Sequence, residues 1–479
     1  MSNKANTPFW ATIWSLLERL SSQIVSFFIG IVLARLLSPT EYGIVGLTTI
    51  FISLSNTFVD AGFANGLIRK IDRSEKDLST AFYFNVVIGL FAYAILWFCS
   101  PLIANFFDEP LLIPLVKIIG LSVFLNSLCI VQNAILTSQL NIRLQTIIGF
   151  CGQLPAGLIA IALAYNGWGV YALALQTVLA AFIKTVLLWI FAKWRPHEGF
   201  SKDSFRYLFN FGSKLLGANL IGTVFNEIYS VIIGKFFTKS ELGLFSKANG
   251  LSCNVNSVSS GIIQKVALPV LAKYQNSISD LRDHFREVMR LLSMIISPLT
   301  AILCFTGRDI IIFLWTDKWL PAVIFFQVLV AGTMWNPIGQ LSLSLLQVVN
   351  RTGLILKLEF PKKSIYVVII AIGFQYGVIG IAVAHFFINL VGSAINLYPT
   401  KKILQYSYML QILDLVKYMI IAYPIAWAVT RIFQTDIHLL NIILSTAVYV
   451  PAYCLVLYLI RDAIALKYFN KILAKFKKK

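Results

Sequence analysis

The sequence predicts an all-α polytopic membrane protein of about 14 transmembrane helices. They are expected as two six-helix lobes in a parallel pseudo-two-fold repeat, plus two C-terminal helices. Three observations carry this. First, 58% of the 479 residues are hydrophobic and only 13% are charged, against about 25% charged in soluble proteins. Second, the apolar residues come in blocks of about 20, the length of a helix that crosses about 30 Å of hydrocarbon. Membrane-spanning backbone must satisfy its own hydrogen bonds, so it is helical or a closed barrel. The short alternating segments of a barrel are not present. Third, Leu33–Gly43 (LARLLSPTEYG) matches Ile233–Gly243 (IGKFFTKSELG) at an offset of 200, and Gly167–Ala174 resembles Gly377–Ala384 at an offset of 210.

In chain order, the spans are expected at roughly 9–35, 42–64, 79–100, 111–136, 144–164, 169–192, 210–234, 241–267, 288–306, 320–346, 362–376, 378–399, 412–431 and 438–460. Six spans separate the repeat copies. That even number inserts both halves the same way up, and it sets the expected divisions: 1–194, 195–403, and 404–479 with a basic tail. Basic residues fix the orientation. About 30 of the 40 Lys and Arg fall in segments expected to be cytoplasmic. The segments expected outside hold Arg35, Lys235, Lys239, Arg308, Lys318 and Arg431. Both termini are therefore expected in the cytoplasm, and the first span is expected to be an uncleaved anchor. The net charge of +19 serves orientation, and no nucleic-acid partner is implied. The six cysteines lie in or beside apolar blocks without metal-ligand spacing, so they read as small buried hydrophobes. No cofactor or metal is expected. No loop is long enough for a soluble catalytic domain, and there is no Walker A motif. The protein is therefore expected to be a transporter, with no catalytic residues.

Ionisable residues inside a span cost about 2.5–3.5 kcal/mol or more, so each is a site hypothesis. On the first span, Ser15, Arg19, Ser22, Gln23 and Ser26 share one helical stripe, with Glu18 on its edge. The seventh span repeats a polar stripe in Asn219, Thr223, Asn226 and Ser230, flanked by Glu227. The second span carries Thr48, Ser53, Asn56, Thr57 and Asp60. The eighth carries Lys247, Asn254, Asn256 and Ser260. A polar stripe must face protein or water rather than lipid. The first two helices of each half are therefore expected to line one hydrophilic cavity. Substrate-binding candidates are Arg19, Ser22, Gln23, Asn56, Lys184, Asn219, Asn226, Lys247 and Asn256. Coupling-ion candidates are Glu18, Asp60 and Glu227. The competing reading is that these groups pair to hold the bundle together. Arg290, near a cytoplasmic end, reads as an anchor. His385 reads as a packing histidine or a proton carrier.

The runs WSLLERLSSQIVSFFIGIVLARLLSPTEYG (14–43), DAGFANGLIRK (60–70) and GLFSKANGL (243–251) resemble lipid-linked oligosaccharide flippases. These are the O-antigen and exopolysaccharide exporters of the polysaccharide-transport branch, within the multidrug/oligosaccharidyl-lipid/polysaccharide superfamily. The resemblance implies two six-helix lobes, alternating access and location in the bacterial inner membrane. It also implies a cationic cavity for the diphosphate-sugar head of an undecaprenyl-diphosphate-linked glycan, with the family's cavity cation landing on Arg19. Implied partners are membrane lipid, H+ or Na+ as coupling ion, and a polysaccharide polymerase with its chain-length regulator. Guanidinium suits a diphosphate, and Ser, Thr and Asn stripes suit sugar hydroxyls. The alternatives are a multidrug or small-solute antiporter of the same superfamily, a lipid II flippase, and a membrane glycosyl polymerase.

Overall fold

The computed structural model describes residues 25–60, 62–70, 72–263 and 267–476. Glu18, Arg19, Ser22 and Gln23 lie outside the described residues. Among those described, the secondary structure is helical throughout.

Two compact units divide the chain, residues 1–243 and 244–479. The first holds α1 (Val25–Leu36), α2 (Pro39–Asp60), α3 (Phe63–Arg69), α4 (Glu75–Phe107), α5 (Leu112–Ser127), α6 (Ile130–Ser138), α7 (Ile142–Tyr165), α8 (Val170–Phe191), α9 (Lys202–Phe236) and the start of α10 (Lys239–Ile262). The second holds the rest of α10, then α11 (Leu268–Lys273), α12 (Ile278–Phe305), α13 (Gly307–Trp315), α14 (Ala322–Thr333) and α15 (Asn336–Val348). It continues with α16 (Thr352–Phe374), α17 (Gly377–Leu404), α18 (Tyr408–Ile432), α19 (His438–Leu459) and α20 (Ala463–Phe476).

Ten helices among the described residues are long and apolar enough to cross a membrane, or eleven if the pair α5–α6, bent by 43°, is one span. Fourteen spans were expected. The other three expected spans correspond to α1, α10 and α16. The description of α1 begins only at Val25. α10 is diluted by Ser and Asn, and α16 carries Lys357, Glu359, Lys362 and Lys363. Several helices overrun their apolar blocks because their first turns are capped in polar sequence. Ser74 and Asp77 form a capping box on α4. The Ser201 and Ser277 side chains cap α9 and α12. Each cap satisfies N–H groups that have no partner inside the helix. The long loop expected at 268–287 is accordingly α11 plus the first turns of α12.

In the first unit, α2 packs against α4, α5 and α9, and α7 packs against α8. Small residues permit the close approaches. A methyl group on Gly157 of α7 would lie 2.7 Å from Ile29 Cγ1, and one on Gly89 of α4 would lie 2.5 Å from Ser127 Cβ. Such contacts suit helix association in lipid, where packing replaces the hydrophobic effect. On α4, Leu78, Phe82, Asn85, Gly89 and Leu96 face inward, while Val87, Phe91, Phe98 and Leu102 are more than 60% exposed. In hydrocarbon that exposure carries no hydrophobic penalty.

In the second unit, Leu281, Phe285, Met289, Leu292, Leu341, Leu345 and Leu397 form one apolar core. Another core joins α12, α18 and α19 through Ile302, Tyr418, Ala422, Ala426, Tyr449 and Tyr453. Tyr449 donates to the Ala422 carbonyl at 3.2 Å, and Tyr453 to that of Met294 at 3.1 Å.

The offset-200 repeat is visible in hydrogen bonds. Ser38 N donates to Glu41 Oε2 at 2.6 Å, and Thr238 N to Glu241 Oε2 at 3.0 Å. Glu41 N returns to Ser38 Oγ at 3.4 Å, and Glu241 N to Thr238 Oγ1 at 3.2 Å. These are two copies of one capping box. The offset-210 match is also conformational: Gly167 (φ +80°) and Gly377 (φ +72°) both adopt the left-handed region that glycine favours.

Candidate functional site

Two polar cavities share Asn56 of α2, both within the first unit. The first, about 460 Å³, is lined by Asn56, Ser122, Asn126, Asn133, Gln145, Gln153, Thr177 and Lys184 with neighbouring small or apolar residues. The second, about 540 Å³, is lined by Asn56, Thr57 and Asp60 of α2 and Ala218, Asn219, Gly222, Thr223 and Asn226 of α9.

Helical periodicity sets each lining residue in place. Asn56 donates to the Ile52 carbonyl of its own helix at 3.0 Å and accepts from Asn126 Nδ2 at 3.3 Å. Asn56 thus stands between the two cavities and is held by an amide from α5. Gln145 of α7 reaches α6, donating to the Asn133 carbonyl at 3.0 Å and to Thr137 Oγ1 at 2.9 Å. Lys184 sits on α8, packed beside Gly152 of α7. A methyl on Gly152 would come 3.4 Å from Lys184 Cβ. The half-buried Lys184 makes no ion pair with any described residue. A cation inside an apolar unit, ringed by amides and with no carboxylate among the described lining residues, is arranged to receive an anion.

The second cavity is framed by hydrogen bonds between α2 and α9. Ser53 Oγ donates to Glu227 Oε1 at 3.1 Å, and Thr57 and Thr223 share a hydroxyl–hydroxyl bond of 3.1 Å. Asp60 lies at the cavity wall with Asn219 and Asn226. Neutral donors and one carboxylate suit a cation or a polyhydroxyl group better than a phosphate.

The structure therefore gathers Asn56, Lys184, Asp60, Asn219, Asn226 and Glu227 in one unit. Lys247 and Asn256 lie on α10 in the second unit, where Lys247 Nζ stands 5.5 Å above the Trp315 ring. Lys247 thus meets an aromatic face. His385 pairs with Asn389 one turn along its own helix, at 3.3 Å. Arg290 is an anchor, bound to Asp414 at 3.7 Å and Asp462 at 3.2 Å. Sequence reasoning missed Asn126, Asn133, Gln145, Gln153 and Thr177. The available signal was the spacing of the amides. Asn126 and Asn133 are seven apart in one apolar block, and Gln145 and Gln153 are eight apart in the next. Each pair repeats after two helical turns.

Residues 32–324, more than half of the chain, match the family of polysaccharide biosynthesis proteins. The teichuronic acid biosynthesis protein TuaB of Bacillus subtilis (strain 168) is 26% identical over 340 residues, covering 69% of this chain and 70% of that protein. The lipopolysaccharide biosynthesis protein WzxC of Escherichia coli (strain K12) is 24% identical over 393 residues, covering 80% and 79%. Among solved structures, lipid II flippase MurJ in an inward closed conformation aligns with a TM-score of 0.75 at 15% identity, over 95% of this chain and all of that one. An inward-facing multidrug resistance transporter of the MATE family aligns with a TM-score of 0.61 at 16% identity, over 81% and 98%. The fold is that of these transporters, and the chain belongs to the polysaccharide biosynthesis protein family.

Proposed function

We propose that the protein is a flippase that moves undecaprenyl-diphosphate-linked oligosaccharide units across the bacterial inner membrane. The observation that carries this is the amide-lined cavity around Lys184, a cation with no described carboxylate partner inside a membrane-embedded unit. A diphosphate supplies the missing anion, and the Asn, Gln, Ser and Thr lining supplies sugar-hydroxyl partners. The prenyl tail remains in lipid. Membership of a polysaccharide biosynthesis family supports a glycan cargo over a drug-like one. On this reading the divisions 1–194 and 195–403 are the rocking lobes, with 404–479 outside them and both termini cytoplasmic. Arg19 contributes a second cation to the same anion. Asp60 and Glu227 take the coupling H+ or Na+, and a polymerase with its chain-length regulator consumes the product.

The test is reconstitution. Proteoliposomes are loaded with undecaprenyl-diphosphate-linked labelled tetrasaccharide, and accessibility to a membrane-impermeant glycosidase is followed. Protein-dependent transfer of intact, unpolymerised glycan between leaflets is expected. Vesicles that exchange the lipid no faster than protein-free controls overturn the reading.

A further inference from the structure

The second unit contains a polar cavity of about 680 Å³ that the translocation reading does not use. It lies where the α12–α13 junction, α14, the end of α18 and the start of α19 meet. Its volume falls in the ordinary range for small-ligand sites, about 300–1,000 Å³. By the distribution of basic residues, this end of the unit is the one expected outside.

Its construction begins with Asp309 in the first turn of α13. Asp309 Oδ1 bonds to His438 Nδ1 at 2.7 Å and accepts from Asn441 Nδ2 at 3.2 Å. Asn441, in the first turn of α19, is buried. Its Oδ1 also accepts from Thr435 N at 2.8 Å and from Thr435 Oγ1 at 2.6 Å. The α18–α19 connection is thus clamped onto α13, giving a rigid polar floor. Two arginines line the same cavity. Arg431 leans on Trp427, its guanidinium 6.0 Å from the ring centroid, and Trp427 itself is 53% exposed. Arg308 is exposed on the other helix. Neither forms an ion pair among the described residues, although Asp309 and Asp436 line the same cavity.

We infer that this cavity binds an acidic oligosaccharide, one carrying carboxylate sugars. Each part of the site meets a different part of such a ligand. An exposed indole offers a flat face to the apolar C–H face of a sugar ring. His438, the Gln327 and Gln434 amides and the Thr430 hydroxyl, which line the cavity, match ring hydroxyls. The two guanidiniums, planar and forked, match a carboxylate. A simple phosphate would use the arginines and leave the indole and the two glutamines without a role. The site holds glycan on the outward side, distinct from the cavities that receive the lipid carrier.

The experiment uses the full-length protein in lipid nanodiscs and titrates it by calorimetry. Three probes are used: a tetrasaccharide alternating glucuronate and N-acetylglucosamine, the neutral tetrasaccharide of N-acetylglucosamine, and inorganic phosphate. The acidic tetrasaccharide is expected to bind at least about tenfold tighter than the neutral one. Arg308→Gln with Arg431→Gln should weaken it by about tenfold or more, and Trp427→Ala should weaken both sugars. These side chains are exposed, so thermal midpoints should match wild type and certify folding. Absence of acidic-glycan binding overturns the inference. So do equal affinity for the neutral sugar, an unchanged affinity in the double variant, and phosphate binding as tightly as the glycan. No lipid carrier is present, so failure here leaves the translocation reading standing, and the converse holds.

Discussion

Gly43 of α2 and Gly243 of α10 face each other reciprocally. A methyl group on Gly43 would fall 2.6 Å from the Lys239 carbonyl carbon, and nearer still to its oxygen. One on Gly243 would fall 2.8 Å from the Pro39 carbonyl carbon and 2.9 Å from Gly43 N. The two copies of the capping box therefore touch through backbone, which cannot move aside as a flexible side chain can. The approach is pinned from α4, where Lys239 Nζ donates to the Phe107 carbonyl at 2.7 Å and Lys235 pairs with Asp108 at 2.9 Å. Gly43→Ala should force the segments apart. Overpacking of this kind costs about 1–3 kcal/mol; the helix propensity that alanine adds is gained whether or not the segments touch, so it drops out of the comparison. A bias of 1–3 kcal/mol is about 5- to 150-fold in population, enough to deplete the touching state. The assay is pulsed spin-label distance measurement between Thr40→Cys and Ser240→Cys. The matched control is Gly217→Ala in α9, where an added methyl meets nothing within 4 Å. Gly43→Ala should lengthen the distance and reduce export per inserted molecule, while the control does neither. Identical distance distributions in the two variants would refute the reasoning.

Three further outcomes are expected. Lys184→Gln should abolish glycan export at normal membrane abundance, since the cavity keeps its polar wall but loses its cation; wild-type export per molecule removes Lys184 from the mechanism. Arg19→Ala should likewise abolish export while Arg19→Lys retains part of it, because charge survives but the fork does not; reduced abundance with unchanged export per molecule would indicate a packing role instead. Asp462, fully buried, accepts from Lys417 at 2.5 Å and from Arg290 Nη2 at 3.2 Å. Burial pushes its carboxyl up, but the Lys417 hydrogen bond, the Ala465 N–H and the nearby positive charges outweigh it and leave it below the usual range. Its stabilisation is therefore complete above the unfolded value near 4 and is lost as pH falls below that through the folded value. Asp462→Asn should lower the thermal midpoint at pH 7 by removing the buried acceptor that half-buried Lys417 and Arg290 share, at about 1–3 kcal/mol, and flatten the loss below pH 4.

Local chemistry was legible in the sequence, and partners across the fold were not. Ser38-Pro39-Thr40-Glu41 and Thr238-Lys239-Ser240-Glu241 can be read as caps because a capping box closes within three residues. Lys184 stood out because a charge in an apolar block carries a known cost. The amides Asn126, Asn133, Gln145 and Gln153 were overlooked beside stronger charges, although their helical spacing was visible. The Arg290 anchor was readable from its position, yet its partners Asp414 and Asp462 lie 124 and 172 residues further along. Lys247 shows the same limit. A helical wheel gave its face, but only the packed fold set Trp315 under its ammonium.

Helix α2 joins the reciprocal contact to the cavities. Gly43 lies in its first turns, and Ser53, Asn56, Thr57 and Asp60 follow on the same continuous helix. From Gly43 to Asn56 is about 20 Å at 1.5 Å per residue. A rigid rod displaced at one end must tilt or slide at the other. The groups that oppose this are the α2–α9 bonds Ser53–Glu227 and Thr57–Thr223. If they hold α2 in the touching state, Thr57→Val should lengthen the Thr40–Ser240 distance even though residue 57 is about 25 Å from residue 40 along the helix. Combining it with Gly43→Ala should then add less than the sum of the two single effects, because one equilibrium is being shifted twice. Strictly additive effects on stability, with no change of distance in Thr57→Val, would mean that α2 bends between the two sites. The cavity would then be shaped independently of the contact at Gly43.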